Sequence, residues 1–180
     1  MGLYCDIIKI SDEEILKCHS VKNQQEELYN FLQTRESADY LELDKAWHGI
    51  YFIMTRYSAS SKSGFLLHGG EAIQDFTWED SYGVDVQDMR SFTSSEVLDI
   101  HKITSSVTKS KFRALYNPKL MNNMDIYPHM WEKRQPGILL AKLLHYSVPL
   151  YYIYSYFSQM NKFISEAAGA QKGIVIKYHQ

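Results

Sequence analysis

Short β-type segments stand at both ends of this chain, and helical patterns fill most of what lies between. Near the amino terminus, LYCDIIKI (3–10) mixes alternation with β-branched isoleucines, and near the carboxyl terminus GIVIKYH (173–179) follows a break at Gly173. Neither segment can bury its apolar side chains alone, because an isolated two-stranded hairpin is marginal in water. The expectation is therefore an α/β domain in which the first and last strands share one sheet.

The stretches between carry helix signals. Ser11 precedes DEEILKC with acids in the first turn, which is an N-cap pattern. NQQEELYNFLQ (23–33) places Leu28, Phe31 and Leu32 on one stripe, and TRESADY (34–40) is a polar connector. Asp44 is expected to cap the next helix, whose Trp47, Ile50, Tyr51 and Met54 fall at i, i+3, i+4 and i+7. His48, Phe52 and Thr55 lie on the other side of that helix, which is expected to be covered on more than one face. SASSKSG (58–64) is a loop by composition, HGGEAI (68–73) puts a glycine pair before a short apolar step, and the stretch from there to Gly83 is acidic, aromatic and aperiodic. A short strand ending at Phe92 leads into Thr93 and Glu96, a capping-box pair ahead of Val97, Ile100 and Ile103. Thr108 caps a further short helix, and Asn117–Pro118 opens another turn. ILLAKLLHYSVPLYYIYSYF (138–157) is long enough to span a bilayer, but Lys142, His145 and Pro149 interrupt it. Two buried helices broken near Ser147 are expected there, not a membrane span.

Charge excludes one class of partner. Nineteen basic residues against 21 acidic ones leave a net charge of −2, so no basic excess exists to hold a phosphate backbone, and nucleic-acid binding is not expected. Cys5 and Cys18 show no metal-ligand spacing and are expected to be reduced thiols. The apolar run at the amino terminus contains Asp6 and lacks a basic leader, so the expected compartment is the cytoplasm. No GxGxxG, GxxxxGK[ST], GxSxG or HExxH pattern occurs, and no cofactor or metal is expected.

LELDKAWHGIYFIMT (41–55) resembles the opening segment of the YfbM-like family, a bacterial domain of unknown function, whose pattern runs roughly LDxDKxWxxLHxLLTG. RSFTSSEVLDI (90–100) resembles its strand-then-helix step and MDIYPHMW (124–131) its IYPxxW-like segment; together these cover about half the chain in the right order. Tyr51 stands where the family usually has His, and Arg56 where it has Gly. The resemblance implies a three-layer α/β fold: a single domain over residues 1–180, with a small mixed sheet flanked by helices. It brings no activity with it.

Two segments carry candidate site residues. In the first, Asp44 and His48 are four apart and could form an acid–imidazole pair, although capping is a sufficient task for Asp44, and His48 then belongs to the polar side of its helix. Trp47 sits at the centre of the core stripe, where a buried indole N–H needs an acceptor. In the second, Asp125, Tyr127, His129 and Trp131 surround Pro128, which biases the residue before it to extended backbone. They either line a pocket or form a crossover turn that packs Tyr127 and Trp131 on the sheet edge. Tyr151, Tyr152, Tyr154 and Tyr156 spread around the last helix and suit an interface. The leading expectation is a non-catalytic domain that binds another protein, as an inhibitor or immunity-like partner, or pairs with itself. The alternative is a small-molecule-binding protein or enzyme with a pocket formed by 44–60 and 124–131.

Overall fold

The computed structural model describes residues 3–21, 25–34, 37–79, 85–131 and 149–179. Five strands, β1 (Tyr4–Ile10), β2 (Tyr40–Glu42), β3 (Glu71–Glu79), β4 (Asp85–Phe92) and β5 (Gly173–His179), form one sheet in the order β2-β1-β5-β4-β3. Among the described residues the α-helices are α1 (Asp12–Ser20), α2 (Gln25–Gln33), α3 (Trp47–Tyr57), α4 (Ser94–Ser105), α5 (Lys109–Leu115), α6 (Pro118–Asn123) and α7 (Pro149–Gly169). The terminal strands are neighbours, in register from Tyr4↔His179 to Ile10↔Gly173. The expected mixed sheet is corrected: all four pairings are antiparallel. β5 enters between β1 and β4 and runs against both, so no parallel crossover is needed.

Alternation along the strands separates two cores and produces the three layers. On one face Cys5, Ile7, Phe92, Ile174, Ile176 and Tyr178 pack against α3, α4 and α7. On the other Ile8, Ile10, Ile73, Met89 and Val175 meet Ile15 and Cys18 of α1 and Leu28 and Leu32 of α2. Each such side chain contributes about 1.5–3 kcal/mol when fully buried, so a one-residue slip of β5, which would exchange its two faces, is excluded. Cys5 and Cys18 lie in different cores and are unbridged.

Local chemistry fixes the helix starts. Ser11 and Glu14 form both halves of a capping box, as do Thr93 and Glu96. The Asp12 carboxylate accepts hydrogen bonds from the Ser94 N–H at 2.8 Å and the Ser94 hydroxyl at 2.6 Å, tying the first turns of α1 and α4 together. Asn117 caps α6 with Pro118 in its first turn. α7 opens at Pro149, and its Ile153 and Phe157 are buried in the core. Lys142, His145 and Ser147, where two consecutive helices were expected, lie outside the described residues. No helix among the described residues is long and apolar enough to cross a membrane.

Candidate functional site

Leu43 leaves β2 with its N–H on the Cys5 carbonyl at 2.8 Å, and the chain then turns sharply through Asp44, at φ 48°. That turn corrects the expected N-cap. α3 begins at Trp47 behind Ala46, with no side-chain cap, and the Asp44 carboxylate accepts from the Tyr152 hydroxyl at 2.7 Å. The bond pins the start of α7 to the start of α3. Burial, followed by the neighbouring carboxylate, keeps the Tyr152 phenol protonated well above its usual range.

Trp47 fills the core position expected of it and donates its indole N–H to the Leu3 carbonyl at 3.1 Å. The Leu3 N–H in turn donates to the Tyr127 hydroxyl at 3.1 Å, so two aromatic side chains hold both polar groups of this residue. His48 is not on a polar side. It is 6% exposed, its ring stacks on Trp47 at 4.9 Å and 7°, and its Nδ1 accepts the Tyr127 N–H at 3.1 Å. The 124–131 turn covers the side of α3 that spacing alone left polar. Burial, with His129 adding to it, pushes the His48 pKa down from 6.5 to about 4, against the opposing pull of Asp125. The imidazole is neutral at physiological pH, and because Nδ1 accepts, its proton sits on Nε2.

The second segment follows α6. Asp125 (φ 58°) and His129 (φ 61°) both adopt left-handed backbone, and Asp125 Oδ1 lies 3.0 Å from His129 Nδ1. Trp131 donates its indole N–H to the Ile126 carbonyl and lies against Gly49, where a Cβ would stand 2.7 Å from its ring. Tyr127 and Trp131 therefore pack on α3 instead of the sheet edge, because Gly49 leaves room for an indole there.

The two candidate segments thus converge: Trp47 and His48 meet Tyr127, with the Asp125–His129 pair alongside. Asp44 and His48 do not form the pair that spacing allowed, since each has another partner. Tyr51, His68 and Tyr178 extend the group. Tyr178 meets Trp47 edge-on at 5.1 Å, Tyr51 lies 5.9 Å from His48, and His68 Nε2 is 3.1 Å from the Tyr51 hydroxyl. These three come from α3, a loop and β5, and no motif or spacing connects them in sequence. The result is a row of mostly buried rings, several of whose polar atoms are engaged with backbone groups or with one another. Among the described residues no group of three or more His, Cys, Asp or Glu side chains is placed to hold a metal ion.

The model of the family described as a domain of unknown function, DUF1877, matches residues 1–177. The chain belongs to that family. A solved structure, the protein of unknown function YfbM from Escherichia coli, is similar over 99% of this chain and 100% of its own, with a TM-score of 0.65 at 15% identity. At that identity the likeness carries the three-layer fold and nothing about activity. No curated protein matches the chain.

Proposed function

We propose that this DUF1877 member is a ligand-binding protein whose site lies between the start of α3 and the 124–131 turn. The supporting observation is the bond between His48 Nδ1 and the Tyr127 N–H, which sets a neutral buried imidazole beside the Asp125–His129 pair. Among the described residues, three of the four non-glycine residues at positive φ, Asp44, Asp125 and His129, belong to these two segments. Each such residue stores about 1–3 kcal/mol of backbone strain, and strain of this kind concentrates at binding sites. Histidine side-chain NMR signals recorded against a library of small polar metabolites test the reading. Ligands should shift the His48 and His129 signals, and Asp125→Asn should weaken them roughly tenfold, as expected for losing a charged hydrogen bond. Binders that leave both signals in place, or that are indifferent to Asp125→Asn, would sink it.

A second reading, that the chain binds another protein or a second copy of itself without catalysis, rests on the exposed Met124, Met130 and Tyr151. Sedimentation of the purified protein, alone and with proteins recovered by pull-down from its host, tests it. A monomer that repeatedly recovers no partner counts against this reading.

A further inference from the structure

Among the described residues two cations are buried beside the sheet, and of these Lys9 alone has counter-charges. Lys9 Nζ lies 3.3 Å from Glu166 and 3.8 Å from Asp39, over the ring of Phe163. Arg90 on β4 is 3% exposed, and no carboxylate among the described residues pairs with it. Its one hydrogen bond among them runs from Nη1 to the Gly69 carbonyl at 3.2 Å, and its buried Nε has no hydrogen-bond partner. The ionisable groups that feel its charge are held neutral. Burial, then the Asp6 charge, pushes the Cys5 thiol up; burial, then Cys5, pushes the Tyr178 phenol up. Burial, then Arg90 itself, holds His68 down. Asp6 is engaged with His179 at 3.1 Å. A guanidinium withdrawn from water without a counter-charge is costly, and a fold that keeps one has a use for it.

Arg90 lies between an irregular stretch of the sheet and an exposed glycine loop. Arg90 pairs with Ala72, and immediately beyond that pair the β3–β4 register shifts, an irregularity of the kind that re-aims side chains. His68, Gly69 and Gly70 form an exposed loop, with the glycines at φ 82° and 68°. A Cβ on Gly70 would collide with the Ser91 carbonyl, so this loop lies directly on β4. With Nη1 committed to Gly69, the guanidinium edge that lacks a hydrogen-bond partner among the described residues is Nε–Nη2, with Nε buried. Its two parallel N–H groups match the two oxygens of a carboxylate. One fixed positive charge with neutral neighbours also balances a monoanion better than a phosphate dianion.

We propose that Arg90, beneath the His68–Gly70 loop, binds the carboxylate group of a small organic acid. This extends the ligand reading above by giving the row of rings a charged end, since Tyr178 abuts Trp47 and Tyr51 joins His48 to His68. Thermal unfolding in sodium acetate, sodium phosphate and sodium chloride at matched ionic strength is the test. Acetate should give a saturable rise of roughly 3–5 °C at tenfold excess over its Kd, beyond that in chloride. Arg90→Met should abolish the rise and, without acetate, melt no lower than the parent, because it removes an uncompensated buried charge. Arg90→Lys, which keeps the charge but loses the paired donors, should respond only weakly. No saturable acetate effect, an equal effect in Arg90→Met, or a steep loss of stability in that variant without acetate would each overturn the proposal. A phosphate response larger than that of acetate and lost in Arg90→Met would overturn the carboxylate assignment. The two proposals fail separately: metabolites that leave the His48 and His129 signals in place sink the first and leave the acetate result standing.

Discussion

His48 makes the stability of this fold depend on pH in a window where few side chains titrate. Its pKa is 6.5 in an ordinary setting and about 4 in the folded protein, where burial is the main cause. The native state therefore prefers the neutral imidazole, and the unfolded chain takes up a proton first as pH falls. Stability from this group is complete above pH 6.5, declines as pH drops below it, and levels off below about 4. At 1.36 kcal/mol per pKa unit the full effect is about 3 kcal/mol, of which roughly 2.5 kcal/mol is lost by about pH 4.5. Against a total of about 5–15 kcal/mol that is a large share.

Carboxylates also titrate near the lower end, so the informative quantity is a difference between two proteins. In His48→Asn a side-chain oxygen can accept the Tyr127 N–H in place of Nδ1, and nothing at the position titrates. Urea melts of both proteins across this range should converge: the parent, more stable at neutral pH, loses about 2–3 kcal/mol more than the variant on acidification. Parallel curves would refute the reasoning, since they would mean that His48 is protonated in the folded state as readily as in water.

Three further substitutions probe the same end of the molecule. Gly49→Ala places a methyl group 2.7 Å from the Trp131 ring and 3.1 Å from Ile153 and should cost about 1–3 kcal/mol in chemical denaturation, with altered tryptophan fluorescence. Trp47→Ala removes a buried indole and leaves the Leu3 carbonyl without its donor; a loss of roughly 3–5 kcal/mol is expected in urea melts, with faster amide exchange in β1. Tyr152→Phe deletes the donor to the Asp44 carboxylate and should lower stability by about 1 kcal/mol in thermal unfolding, at the low end for a charged hydrogen bond because the site is half-buried.

Features that depend on neighbours in sequence were legible in it. The capping boxes at Ser11 and Thr93, the Asn117–Pro118 helix start and the two terminal strands all follow from residues a few positions apart. β3 was not legible, and its pairing explains why: the register shifts between Ala72 and Gln74 and again before Thr77, which destroys the two-residue period. Asp44 carries the residue type of a cap, but its left-handed turn places it two residues ahead of the true cap position, Ala46. His48 lies off the apolar stripe of α3 and is buried only because a turn 79 residues further along the chain covers it. Arg90 did leave a trace. It shares a strand face with Phe92, and a charged residue alternating with a core phenylalanine marks a charge pointing inward.

The face of the sheet beneath α3, α4 and α7 is divided in its chemistry. One part is apolar, with Phe65 against Phe92 and Phe112 against Phe157. At the start of α3 the buried rings instead carry polar atoms, and their partners come from distant segments: Leu3 for Trp47, the Tyr127 backbone for His48, Asp44 for Tyr152. Apolar side chains of similar volume would stabilise this region at least as well, and would need neither the depressed imidazole nor the left-handed backbone at Asp44, Asp125 and His129. Several local rules are broken together there, and that clustering is the physical motive for the binding site proposed above. The same comparison holds within the basic residues. Lys9 sits among carboxylates and is explained by the fold, whereas the unpartnered Nε of Arg90 is the observation that motivates the proposed anion.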